Sequence, residues 1–213
     1  MPGRKGYLVW GVLLIPLALI ATTGCFGRAK PAPAVEHYAL QYDPPPPTGR
    51  AAAGTLRVER FSAVRPFGDP SIVFGTDAFR LEAYRNRRWA ASPADMAADL
   101  LIRDLRASGC FTAVLPSQSR EDAAYSLEGR LEEFLEGVEP EGRKARLALT
   151  LTLVDLQGKN PVQRVVMQKG YRFAEGLEGE GGKALAGAMS RAAEAFSRQA
   201  VADICAAVPP RPQ

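Results

Sequence analysis

The chain is short of the residues that carry polar chemistry. Its 213 residues include one histidine, His37, and three cysteines, Cys25, Cys110 and Cys205. Zinc sites draw mainly on histidine and cysteine at short spacings, and no such spacing exists here, so no metal ligand set is expected. His37 borders a proline-rich segment with no carboxylate cluster beside it; it reads as a surface residue, not a base. No Gly-x-Ser-x-Gly elbow occurs. Gly176 to Lys183 starts like a phosphate loop, but Gly182 stands where the lysine belongs. The run Gly179-Glu180-Gly181-Gly182-Lys183-Ala184 has dinucleotide-loop spacing, yet no strand is predicted after the helix it would open, and Glu178 and Glu180 would repel a pyrophosphate. It reads as a turn. The acidic pairs Glu132-Glu133 and Glu139/Glu141 read as solvated charge. No nucleophile, base and orienting group assemble, which points away from an enzyme and from any cofactor.

A strong excess of one charge is also missing. There are 27 Lys and Arg against 23 Asp and Glu, a net +4. That balance makes nucleic acid an unexpected partner. No internal repeat at a fixed period is present.

A long apolar run occurs once, at the start. Arg4 and Lys5 precede an uncharged, mostly aliphatic stretch from Tyr7 to Ala21, followed by Thr22-Thr23-Gly24-Cys25. The run is short for a membrane-spanning helix, which needs about 20 residues, and has the layout of a secretory signal. The last four residues resemble the bacterial lipobox, with Thr22 where an aliphatic residue is usual. The resemblance implies cleavage between Gly24 and Cys25 and transfer of diacylglycerol to the Cys25 thiol, a palmitate-type anchor. The expected organisation is a signal peptide over 1–24, a tether over 25–36, one domain over 37–208 and a tail over 209–213. Cleavage removes Arg4 and Lys5 and no acidic residue, taking the net charge from +4 to +2.

The rest of the chain patterns as α+β. His37 to Tyr42 alternates like a short strand, and Pro44 to Pro47 favour an extended polyproline segment. Leu56–Phe61, Ser71–Phe74 and Ala78–Tyr84 read as strands. Ser92-Pro93 opens a helix, serine as cap and proline at the first position, with an apolar face of Met96, Leu100, Leu101 and Leu105, an Asp99–Arg103 pair opposite, and Gly109 as its stop. Tyr125–Leu131 alternates and shifts phase near Glu133-Phe134, as at a bulge. Arg146–Leu156 places Leu147, Leu149, Leu151 and Leu153 on one face, and Val162–Phe173 follows a turn, giving successive antiparallel hairpins. Lys183–Ala207 carries one apolar stripe of Leu185, Met189, Ala192, Phe196, Ala200 and Ile204. The predicted fold is a mostly antiparallel sheet with two helices packed on one face.

These segments together are similar to the ABC-type transport auxiliary lipoproteins, the group containing the paraquat-inducible protein C-like lipoproteins. The resemblance runs from His37 to Cys205. It is carried by His37-Tyr38-Ala39-Leu40, Pro70-Ser71-Ile72-Val73-Phe74, Tyr84 followed by Trp89 and Ser92-Pro93, Leu105 to Phe111, and Tyr125 to Gly129. Gly75 departs from the arginine usual after the Ile-Val strand. The resemblance implies a partner of an ABC permease, its ATPase and a mammalian-cell-entry (MCE) domain protein. Such systems move phospholipids or other hydrophobic molecules between inner and outer membranes. It also implies a homo-oligomer and a place on the periplasmic face of the outer membrane, which Phe26, in place of Asp after the lipid site, favours. Two other readings remain open: a lipoprotein that binds lipid in its own cavity, and a peptidoglycan-associated or outer-membrane assembly lipoprotein.

Two groups of residues invite specific expectations. Cys110 and Cys205 each fall near the C-terminal end of a predicted helix, in an oxidising compartment where paired cysteines often bond; they are a disulfide or two buried thiols. Arg85, Arg87, Arg88 and Trp89 read as a loop with the composition of a partner contact, the alternative being that Trp89 plugs the core while the arginines are solvated.

Overall fold

The computed structural model describes residues 34–49, 53–77, 79–158 and 164–209. The expected cleavage and lipidation positions, Gly24 and Cys25, lie outside the described residues. In chain order the elements are β1 (Glu36–Tyr38), β2 (Ala53–Val58), β3 (Ser62–Ala63), β4 (Ser71–Gly75), β5 (Leu81–Trp89), α1 (Pro93–Ser108), β6 (Phe111–Pro116), β7 (Tyr125–Glu139), β8 (Gly142–Asp155), β9 (Val165–Gly176) and α2 (Gly181–Ala207).

The alternation in the second half of the sequence produces the spine of the sheet. β7, β8 and β9 form two antiparallel hairpins, with Leu131 opposite Leu149 and Leu149 opposite Tyr171. The inward residues Leu127, Leu131, Leu149, Leu151 and Leu153 are almost wholly buried. Each contributes about 2 kcal/mol relative to exposure, so a one-residue slip of register would be prohibitive. The register shifts between Leu131 and Glu133, and this bulge brings Phe134 into the core at 1% exposure. The opposite sheet face carries polar residues, with Thr150 donating to Glu132 at 2.8 Å and Arg172 to Glu133 at 2.8 Å.

The free edge of β7 is lined by three strands in succession, all parallel to it. Val58 of β2 stands opposite Leu127, Ala63 of β3 opposite Leu131, and Val73 of β4 opposite Leu135. β6 then pairs parallel with β2, β5 antiparallel with β4, and β1 parallel with β5. The long ladders are antiparallel, as expected; the parallel edge is not evident from local pattern. Gly129 is required within it, because the Phe61 ring fills the space a side chain there would occupy.

Several boundaries differ from expectation: β1 stops at Tyr38 and not at Tyr42, β7 continues to Glu139, and β8 starts at Gly142 and not at Arg146. The strand beginning near Leu56 ends at Val58 and not at Phe61. β5 begins at Leu81 and runs to Trp89, so Arg85 to Trp89 is strand, not loop; pairing with β4 on one side and β1 on the other extends it. β6 was not anticipated, since six residues after a helix stop carry too little periodicity.

Both helices form as their signals require. The Ser92 Oγ accepts from the Asp95 backbone N–H at 3.2 Å, and Gly109 takes the left-handed conformation at φ 69°. Leu101 and Leu105 of α1, and Leu185, Met189, Ala192, Phe196, Ala200 and Ile204 of α2, are at most 3% exposed. Lys169 and Tyr171 of β9 tie that sheet edge to α2 through Asp203, at 2.6 and 3.0 Å. Cys110 and Cys205 stand at the C-terminal ends of the two helices, their Cα atoms 5.8 Å apart and their sulfurs joined.

Candidate functional site

Residues 39–49 have no regular structure, consistent with their four prolines, and cross the two helices as a strap. The Gln41 backbone N–H donates to Ser190 Oγ on α2 at 3.0 Å. The Tyr42 hydroxyl donates to Asp104 on α1 at 2.8 Å. Thr48 closes the strap, its backbone N–H donating to the Ser108 carbonyl at 2.9 Å.

Asp104 is the centre of this arrangement. It is fully buried, and a buried carboxylate must be paired or hydrogen-bonded to be tolerated. It accepts from Tyr42, from the Ser197 hydroxyl of α2, and from Arg103 Nε at 2.7 Å. Arg103 also donates to the Tyr42 carbonyl at 2.9 Å and lies over the Tyr42 ring at 4.6 Å. The expected Asp99 pairing gives way to this one, because Arg103 turns inward to satisfy its buried neighbour. Burial, and then the hydrogen bond to Asp104, push the Tyr42 hydroxyl pKa well above that of a free tyrosine. Replacing Asp104 with Ala leaves two hydroxyls and a guanidinium without their acceptor, at about 1–3 kcal/mol for each buried group. The expected result is a loss of roughly 3 kcal/mol with earlier proteolysis within residues 39–49; unchanged melting would mean the network is not needed.

A second polar knot lies between β5 and the β7–β8 hairpin. Glu136, 2% exposed, accepts from the Tyr84 hydroxyl at 2.8 Å and pairs with Arg143 at 2.6 Å. Phe74 packs on the Tyr84 ring at 4.5 Å, and Arg87 lies over it at 4.9 Å.

The four residues singled out as a partner contact separate on this scaffold. Trp89 is 1% exposed and meets Phe134 edge-on, ring centroids 5.1 Å apart, so its indole is a core plug and not an exposed contact. Arg88 donates to Ser71 Oγ, and Arg87 is occupied by Tyr84. Arg85 is exposed. His37 is exposed too, on the outermost strand. The glycine turn before α2 has positive φ at Gly179 and Gly181 (91° and 87°), and the Tyr38 ring covers Gly182 so closely that no side chain fits there. Gly179 and Gly181 serve the backbone of the turn and Gly182 the packing against Tyr38. Among the described residues no group of histidine, cysteine and carboxylates is placed to hold a metal ion, and no helix is long and apolar enough to cross a membrane.

The family model described as "ABC-type transport auxiliary lipoprotein component" matches residues 38–201. No curated protein matches the chain. Among solved structures, the chain is similar to a Xanthomonas campestris protein described under the family model DUF330, with 22% identity and a TM-score of 0.71, over 81% of this chain and 96% of that one. It is also similar to an uncharacterised protein at 15% identity and a TM-score of 0.58, over 82% and 98% of the two chains. At such identities these two likenesses speak for the fold.

Proposed function

Since the chain belongs to the ABC-type transport auxiliary lipoprotein component family, we propose that it serves, without catalysis of its own, as the lipid-anchored accessory of an ABC transporter carrying an MCE-domain protein. In this reading the system moves phospholipids or other hydrophobic molecules between the inner and outer membranes and supports envelope integrity. The lipoprotein sits on the periplasmic face of the outer membrane, docks as an oligomer, and presents Arg85 to its partner.

The observation that carries the reading is the family match over residues 38–201, taken with the lipobox-like Thr22-Thr23-Gly24-Cys25. Dense packing favours it over a lipoprotein that carries lipid in its own cavity. The layer between helices and sheet is packed by Leu149, Leu151, Met189 and Phe196, none more than 3% exposed.

The test combines anchoring with genetics. Cys25→Ser is expected to accumulate as an unprocessed, mislocalised precursor and to reproduce the envelope defect of a strain lacking the transporter ATPase. Each buried methylene of an anchor contributes about 0.8 kcal/mol, so several acyl chains hold the native protein permanently. If Cys25→Ser still fractionates with the outer membrane after a salt wash, or complements fully, the reading fails.

A further inference from the structure

The large exposed apolar side chains on the sheet hairpins stand in two groups at opposite ends of the sheet. Phe79 (100% exposed), Leu81 (48%) and Val138 (53%) mark one end; Leu156, Val165 and Val166 mark the other. The register places them. Gly75 opposite Leu81 closes the β4–β5 hairpin, and Glu139 opposite Gly142 closes the β7–β8 hairpin. Val73 beside Leu135, in parallel, aligns the two so that both tips point the same way. The β8–β9 turn lies at the far end, where Asp155 pairs with Tyr125 at the start of β7. Phe79, Leu81 and Val138 line one open cleft of about 520 Å³ together with Val64 and Pro66. Apolar exposure rimmed by charged residues, here Arg65, Asp77, Glu132, Glu133 and Arg146, marks a contact surface.

The direction of chain entry distinguishes the two ends. β1 runs parallel to β5 with Glu36 opposite Arg87, so β1 begins on the side nearer Leu81; Val35, just before it, is 50% exposed. Ten peptide steps separate Cys25 from Val35, a reach of at most about 35 Å when fully extended. The stretch of β5 from the level of Asn86 to Leu81 is about 17 Å long, well within that reach. What is left suffices to put a lipid on Cys25 just beyond the Phe79 tip. At the tips Arg80 pairs with Glu82 and Lys144 with Glu139. The charged residues rimming the cleft carry both signs, so the surface offers apolar contact with no excess of positive charge to demand an anionic headgroup.

We propose that the β4–β5 and β7–β8 tips form a membrane-contacting surface. Phe79, Leu81 and Val138 rest in the interfacial layer of the bilayer that holds the anchor, where an aromatic ring is well accommodated, and the β8–β9 end faces away from it. This orientation rests on lipid attachment at Cys25, and the two are separable by experiment.

The mature chain carries one tryptophan, the buried Trp89, which serves as the background. Phe79→Trp and Val165→Trp are each made in the full lipidated protein and reconstituted in phosphatidylethanolamine and phosphatidylglycerol vesicles, with and without brominated phosphatidylcholine. Co-flotation reports the anchor; quenching by bromine reports the orientation. The Phe79→Trp protein is expected to lose most of its added emission to the brominated lipid, the Val165→Trp protein almost none, and omitting phosphatidylglycerol changes neither. Flotation without quenching at position 79, or equal quenching at both positions, overturns the orientation while the anchor stands; such a result would leave the tips to a second copy or a protein partner. Failure to float removes the anchor, and the orientation with it.

Discussion

Trp89→Ala is expected to lower folding stability by about 3–5 kcal/mol, the range for deleting a large aromatic from a core that collapses only partly. The indole sits at the end of β5, 1% exposed and edge-on to Phe134, where the sheet meets the cap of α1. For a domain of this size each kcal/mol shifts the melting temperature by about 2–4 °C, so the melting transition should fall by roughly 6–20 °C. A shift of a degree or two would return the indole to the surface and restore it as a contact residue. The same comparison made with Arg85→Ser should leave melting unchanged, because that side chain is exposed.

Loss of the Cys110–Cys205 link is the other change expected to be large. The bridge closes a loop 95 residues apart in sequence, a constraint on the unfolded chain of about 4–5 kcal/mol in the chain-entropy model, often less in practice. It holds together the ends of the two helices that cover the sheet, where Ser108 Oγ lies 3.3 Å from Cys110 Sγ in a buried environment. We expect the mature protein, alkylated without reduction, to show no free thiol by mass spectrometry, and Cys205→Ser to melt at a markedly lower temperature. Two alkylated cysteines in the native protein would mean that packing alone joins the helix ends.

Much of the fold was legible because its signals are local. The Ser92-Pro93 start and Gly109 stop of α1, the single stripe of α2, and the alternation from Leu147 to Leu153 each state their structure within a few residues. So does the phase shift at Glu133-Phe134, which the structure realises as a bulge. What was not legible is non-local. The parallel pairing of β2, β3 and β4 with β7 joins residues some 60 or more positions apart, and nothing in Leu56 or Val73 names its partner. Extension of β5 through Arg85–Trp89 depends on β1 and β4 flanking it, so an arginine-rich stretch that looks like a loop becomes strand.

The polar strap site illustrates the same limit at the level of side chains. The i,i+4 spacing pairs Arg103 with Asp99, and nothing in the local pattern singles out Asp104. Its hydroxyl partners come from Tyr42, 62 residues away, and Ser197, 93 residues away, and only the assembled fold shows that it is buried. Cys25 is the reverse case. Its expected role follows wholly from the local pattern around it, and the folded domain adds only where the tether enters.

The most direct measurement of the proposed role is to crosslink the lipidated protein in intact cells and purify it from the envelope under denaturing conditions. The expected result is specific enrichment of an MCE-domain protein, with the ABC permease and its ATPase recovered when the complex is isolated in mild detergent. Enrichment of outer-membrane assembly components, with no transporter subunit recovered by either route, would contradict it.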